Sequence, residues 1–169
     1  MILKINLSNQ LYVLRKHLKG GLLMFLILPF FKFQKAVVIA LALLYLFFSL
    51  PVIYLHLLYY IVSRNREIII DEEGIAVKKK NKIIAFKKSD LNNIVYCNQN
   101  ISLFNAWNPL DVSVNPYNYV RIITNCGQSI IITSLMCRNL DDVINKFRNI
   151  TVRRIDHPYF RLKKVFLVA

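Results

Sequence analysis

AVVIALALLYLFFSLPVIYLHLLYYIV, residues 36–62, runs directly into SRNREIIIDEEGI, residues 63–75, and the fold turns on the change of composition between them. The first run holds 27 residues without a formal charge, enough to cross a ~30 Å hydrocarbon core with tilt. The second is charged and alternating, and all nine acidic residues of the chain lie from Glu67 onward. A boundary at Ser63 therefore divides membrane-type from water-soluble sequence. Pro51 removes one backbone donor and frees the Phe47 carbonyl, so the sequence predicts a bend there, with Ser49 or a neighbouring helix supplying a new partner. Tyr54, Tyr59 and Tyr60 suit the headgroup belt.

Toward the N-terminus a second apolar stretch runs from Leu18 to Phe31 with Lys19 as its only charge. As a helix it is only ~21 Å long, short of a full crossing. Two readings remain open. The helix begins earlier, near Leu11, with Arg15, Lys16 and Lys19 extending their charged ends to the interface, or residues 9–19 form a separate amphipathic turn sharing Leu11, Leu14 and Leu18 on one face. The first span is thus either crossing or re-entrant. Between the two stretches Lys32-Phe33-Gln34-Lys35 has the length of an antiparallel helical connection, so both ends face one side. Lys4, Arg15, Lys16, Lys19, Arg64 and Arg66 outnumber the lysines of the turn, which predicts cytoplasmic termini. No small-x-small cleavage site follows the first run, and a full span does, so a cleaved leader is not the reading adopted.

The formal charge of +14 divides into six Lys/Arg and no acids before Ser63, and seventeen Lys/Arg against nine acids after it. Anionic headgroups attract such side chains at ~1 kcal/mol each, so a membrane accounts for the basicity; the interleaved aromatic-basic pattern of a nucleic-acid surface is missing. Cys97, Cys126 and Cys137 have no zinc spacing and are expected to be reduced thiols. His17, His56 and His157 are scattered. His56 lies within the apolar run, where a hydrogen bond to a neighbouring helix is the structural explanation.

After Ser63 the apolar period becomes two. Strands are expected at Ile68–Ile70, from Ile75, at Ile83–Lys87 and at Leu91–Cys97, joined at Asp71–Gly74, Lys80-Asn81 and Ser89-Asp90 into a four-stranded meander. A hairpin follows from Tyr119, turning at Asn125-Cys126-Gly127 onto Gln128–Ser134. Asn139 then reads as an N-cap, with Asp141 and Asp142 in the first helical turn, Lys146 and Arg148 in the last, and a buried stripe of Leu140, Val143, Ile144 and Phe147.

The strand-turn-strand IIIDEEGI (68–75), SDLNNIV (89–95), the Tyr119–Thr133 hairpin and the helix from Leu140 resemble a bacterial pleckstrin-homology-like (PH-like) domain over residues 66–150. A hydrophobic hairpin directly before such a domain resembles small bacterial membrane proteins of that type. The implied fold is a membrane α-helical hairpin plus an α+β domain, an antiparallel β-sandwich or open barrel with one C-terminal helix. The domains are then 1–17, a cytoplasmic or interfacial segment; 18–62, the hairpin; 63–150, the PH-like domain; and 151–169, a basic-apolar tail docking on membrane or partner.

The resemblance implies binding rather than chemistry. No nucleophile elbow, phosphate-cradling glycine loop or carboxylate pair occurs, so no enzyme, cofactor, metal or small-molecule substrate is expected. Residues 98–118 leave two readings open: Ile101–Phe104 or Leu110–Val114 is a further strand, or Ile101, Leu103, Phe104, Trp107 and Leu110 form a protruding partner-binding loop. Lys78, Lys79, Lys80 and Lys82, with Arg15, Lys16 and Lys19, are candidate contacts to anionic lipid, although a lysine-rich hairpin tip equally protects a sheet edge. The expected function is a membrane-anchored adaptor or accessory subunit that holds a membrane or membrane-associated protein at the cytoplasmic face of the inner membrane. An anionic-lipid-binding module is the alternative, a homo-oligomer is a further possible assembly, and a membrane enzyme with a site invisible in sequence is a third class.

Overall fold

The computed structural model describes residues 1–31, 34–80, 82–98 and 117–156. Strand β1 (Ile2–Leu3) precedes helix α1 (Leu7–Ile27), a 3-10 turn at Leu28–Phe31, and helix α2 (Lys35–Ser63). Three strands follow, β2 (Arg66–Ile70), β3 (Gly74–Lys79) and β4 (Lys82–Lys87), then a 3-10 turn at Lys88–Asp90 and β5 (Leu91–Asn98). The chain continues with β6 (Tyr119–Thr124), β7 (Ser129–Thr133), the short helix α3 (Leu140–Asn145) and β8 (Thr151–Asp156). One sheet has the order β1-β2-β3-β4 and the other β7-β6-β5-β8.

Local chemistry explains the turns. Asp71 accepts the amides of Glu73 at 3.0 Å and Gly74 at 2.7 Å, an Asx turn between β2 and β3. Gly74 pairs with Lys87 across the ladder, where a Cβ would strike the Phe86 carbonyl, so only glycine fits. Gly127 closes the β6–β7 turn at φ 82°, as its position in the sequence predicts.

The expected meander is corrected at its last step. β4 does not pair with β5: Asp90 accepts the Lys87 amide at 2.9 Å, and the 3-10 turn carries the chain around a corner into the second sheet. There β5 is central, antiparallel to β6 and parallel to β8. Its apolar residues face both ways, Ile94 to one core and Cys97 to another, which an edge beside β4 could not satisfy. β8 is a second correction. Residues 151–156, read as the start of a tail, lie in the sheet beside β5, so the fold is mixed rather than wholly antiparallel and does not end on its helix. The helix is also shorter than expected: it stops at Asn145, ahead of Lys146 and Arg148. Asn139 occupies the N-cap, but its side chain donates to Asp142 at 2.8 Å instead of accepting a backbone amide. The stripe of Leu140, Val143 and Phe147 is buried as expected, with Ile144 packed against it.

At the N-terminus Ile2 and Leu3 pair with Ile69 and Ile68, extending the first sheet, and Leu3 joins its core. Helix α1 begins at Leu7, capped by Asn6, whose side chain accepts the Ser8 amide at 2.9 Å. It therefore starts before Leu11 and carries Arg15, Lys16 and Lys19 along one continuous helix, with no separate surface turn. Helix α2 passes through Pro51 without ending, and the Ser49 hydroxyl donates to the Tyr45 carbonyl.

Two apolar cores result. One lies between the sheets and beneath α3, and includes Ile68, Ile75, Ile94, Val120, Ile122, Ile132 and Phe147. The other lies on the opposite face of the second sheet, where Cys97, Tyr117, Tyr119, Ile131 and Leu135 meet Val13 of α1 and Val52, Leu55, Tyr59 and Val62 of α2. The second sheet is thus covered on both sides, whereas β4 exposes Ile83 and Ile84.

Candidate functional site

The spacing of Val52, Leu55, Tyr59 and Val62 places them on one helical face, and all are buried against the second sheet. Polar contacts accompany them. Tyr59 donates to the Tyr117 carbonyl at 2.7 Å, the Ser63 and Thr133 hydroxyls meet at 2.6 Å, and His56 Nδ1 lies 3.1 Å from the Tyr117 hydroxyl. His56 Nε2 also faces Gln10 of α1 at 3.4 Å, the neighbouring-helix contact expected for an apolar-helix histidine. Tyr59 is therefore a core residue and not part of a headgroup belt; its wholly buried ring packs edge-on against Tyr117 and Tyr119. Burial pushes the phenols of Tyr117 and Tyr119 well above their ordinary range, so both remain neutral hydrogen-bonding groups.

Farther along the helices the packing changes. His17 stacks on Tyr45 with ring centroids 5.0 Å apart and Nε2 3.0 Å from the hydroxyl. Gly21 lies beneath the same ring, where a Cβ would come within 2.6 Å of the Tyr45 hydroxyl. The two helices are consequently antiparallel neighbours, with His17 and Gly21 opposite Tyr45 and Gln10 opposite His56. Beyond this contact the side chains of Leu22, Leu23, Phe25, Leu26 and Phe30 on α1 and of Ile39, Leu43 and Leu44 on α2 are exposed, as are Leu46 and Phe47 beside it. Among the described residues α2 is the one helix long and apolar enough to cross a membrane.

The seven basic candidates separate into two clefts and three residues outside them. Lys78 and Lys80 line a cleft of about 290 Å³ with Lys4, Asn65, Arg66 and Glu67, and Lys78 lies 3.8 Å from the Glu67 carboxylate. Lys79 and Lys82 oppose each other across the hairpin ladder, and Lys80 adopts φ 54° in its turn. Arg15 and Lys16 line a different cleft, of about 230 Å³, with Tyr12, Ser134 and Arg138. Lys19, Lys79 and Lys82 line neither. Arg138 and Ser134 were not among the candidate contacts read from sequence, and Lys4 and Arg66 entered there only through the charge asymmetry about the apolar runs. Arg138 and Ser134 meet α1 only through the docking of the helix pair, which no local pattern encodes. The candidate partner residues Ile101, Leu103, Phe104, Trp107 and Leu110, the alternative strands around them, and the segment from 157 onward lie outside the described residues.

A family model for the PH domain matches residues 10–146. The chain belongs to the PH domain family. The match begins inside α1 and takes in the whole of α2, so the helix pair falls within the matched region. No curated protein matches the chain. PH domains commonly bind proteins or lipids. Among the described residues of this one, no three His, Cys, Asp or Glu side chains group as metal ligands.

Proposed function

We propose that this PH domain protein is a non-catalytic, membrane-anchored adaptor, whose transmembrane helical hairpin anchors it in the inner membrane and whose domain holds a partner protein at the cytoplasmic face. The observation that supports it is the division of α2 into a half seated on the domain and a half with an exposed apolar surface. At 29 residues α2 is ~43 Å long, beyond the ~30 Å hydrocarbon core, so one helix has length for both tasks. From Lys35 to Pro51 it supplies ~25 Å, and the apolar part of α1 supplies ~21 Å. A hairpin of that depth suits a thinned or re-entrant insertion. With the domain seated directly on the helix, a captured partner is fixed in orientation to the bilayer.

Cys126 supplies a native probe of topology, because it is exposed while Cys97 and Cys137 are buried. Membrane-impermeant maleimide is expected to label Cys126 in inverted vesicles and not in intact cells, and the protein is expected to resist alkaline carbonate extraction. Release by carbonate would overturn the anchor, and labelling in intact cells would overturn the orientation. For the partner, Phe104→Ala combined with Trp107→Ala is expected to abolish copurification in mild detergent at a cost of ~2 kcal/mol or more in binding, with an unchanged melting temperature. An unfolded double variant would place both rings in the core instead.

The second reading, a module for anionic lipid, is favoured by the cleft that joins Arg15 and Lys16 to Arg138.

A further inference from the structure

We infer that the open edge of β4 accepts an extended strand of another protein, apolar at its centre and acidic at its ends. This edge does not include residues 98–118, so strand addition there goes beyond the partner contact proposed above.

The backbone defines the site. Among the described residues β4 has β3 on one side and no strand on the other. Antiparallel ladders alternate residues that exchange hydrogen bonds with residues whose amide and carbonyl point away. Lys88 donates to the Glu73 carbonyl at 2.9 Å, which sets the phase of the β3–β4 ladder: Ile84 and Phe86 bond to β3, and Ile83 and Ala85 point outward. Lys87 points outward too, but its amide donates to Asp90 at 2.9 Å. That leaves the amides of Ile83 and Ala85, with their carbonyls, as the open part of the ladder, which one added strand would satisfy in two bonded pairs.

The side chains around these groups are apolar and bare. Ile83 is 65% and Ile84 53% exposed, on opposite faces of the sheet, and Ala85 is exposed beside them. Lysines that protect an edge interrupt it; here Lys82 and Lys87 stand at the two ends and leave the centre uncovered. A lipid surface does not suit this centre, because hydrocarbon offers its open backbone groups no partner. Ile84 faces Val77 across the ladder, so a β-branched residue on an added strand would continue that row.

Charge selects the occupant. Lys79 and Lys82 face each other at the hairpin end, and Lys87 and Lys88 close the other end of the strand. Among the described residues none of these four has a carboxylate partner, and the ion pair of the hairpin is Lys78 with Glu67 at 3.8 Å. The same charges disfavour a second copy. Self-pairing through Ile83 and Ala85 centres the two-fold on Ile84 and brings Lys82 of one copy against the Phe86–Lys88 end of the other, in a chain of net charge +14. Carboxylates at the ends of a partner strand would meet these lysines as ion pairs instead. Access is from the domain side: Lys78 and Lys80 line a cleft with Asn65 and Arg66, at the C-terminal end of α2 and ~20 Å of helix from Leu50.

The test uses the full chain in detergent and three synthetic peptides: a Val-Thr-Val-Thr-Val core between Glu-Glu ends, the same core between Lys-Lys ends, and the acidic peptide with alternate amides N-methylated. The acidic peptide is expected to bind, more weakly as salt rises, and to protect the amides of Ile83 and Ala85 from hydrogen exchange while leaving that of Ile84, already bonded to β3, unchanged. The other two peptides are expected to bind about ten-fold more weakly or worse. Ala85→Pro removes an outward amide that makes no bond within the sheet, a change edge strands tolerate, and is expected to weaken binding about ten-fold at an unchanged melting temperature. Should that variant unfold, Ile83→Lys, which places a charge in the bare centre, is expected to have the same effect on binding. Equal binding of the acidic and lysine peptides would overturn the acidic partner. Absence of binding by the acidic peptide, binding without protection at Ile83 and Ala85, or binding undiminished in the edge variants would overturn the site. Protection of the two amides that grows with protein concentration in the absence of peptide would make a second copy the occupant and overturn the partner strand.

Discussion

The two halves of α2 are made from nearly the same residues and have different surroundings. Lys35–Leu50 exposes Ile39, Leu43, Leu46 and Leu50, while Pro51–Ser63 buries Val52, Leu55, Tyr59 and Val62 and exposes Ile53 and Leu57 on its other side. Both are apolar, and it is the whole helix, not either half, that has the length and composition of a spanning segment. The difference is in the polar residues at the docked surface: His56, Tyr59 and Ser63 each meet a group supplied by Gln10, Tyr117 or Thr133. The part of this apolar helix that docks on the domain is thus marked by the few polar atoms that find partners there.

Removing a docked side chain is expected to give the largest contrast. Leu55→Ala is expected to cost ~2–5 kcal/mol of domain stability, because Leu55 is wholly buried, whereas Leu43→Ala in the exposed half is expected to remain within ~0.5 kcal/mol. Denaturation in detergent, followed through modification of buried Cys97 and Cys137, measures both. Equal effects would erase the distinction between the halves. Next, Thr133→Val leaves the Ser63 hydroxyl unpaired and is expected to cost ~1–3 kcal/mol, with the double variant Ser63→Ala/Thr133→Val costing less than the two single changes added. A strictly additive cycle would show that this contact does not couple helix and sheet. Gly21→Val is expected to disturb the hairpin by ~1–3 kcal/mol through its clash with Tyr45 while the domain keeps its denaturation midpoint.

The smallest effect concerns Cys126, which reports on the domain alone. The Thr124 hydroxyl, 3.1 Å away, holds its thiol below the ordinary range, whereas burial raises Cys97 and Cys137. A lowered pKa means more thiolate at a given pH, so Cys126 is expected to alkylate first near neutral pH. Thr124→Val is expected to move its pH profile upward, and an unmoved profile would assign its reactivity to exposure alone.

Strand positions and the hairpin at Gly127 were legible because period-two alternation and turn residues are local signals. The place where the chain leaves one sheet for the other was not, because the corner at Lys88–Asp90 has the same length as a hairpin turn. The continuous apolar run Ile130-Ile131-Ile132 carried an unused signal: such a strand is covered on both faces, here by the first sheet and by α2. β8 was obscured by its arginines. Arg153 and Arg154 suggest a solvated tail, but the strand takes its place through its backbone ladder to β5, with Val152 packed against the core. Of the candidate site, the charges on α1 could be read from sequence, and their meeting with Arg138 could not, since it depends on tertiary docking.

The pairing of β1 with β2 closes the chain around the whole hairpin: Leu3 meets Ile68, and everything between them forms one loop. During synthesis Leu3 leaves the ribosome long before its partner exists. The first sheet acquires this edge only after both helices have been made, so its completion is a late event that follows placement of the hairpin. Loop closure costs only ~0.6 kcal/mol per doubling of length, so the delay adds little to the equilibrium cost and acts mainly on the order of assembly. A chain whose helices were misplaced would lack this strand, leaving the β2 edge unpaired and open to the surveillance that removes incompletely assembled proteins.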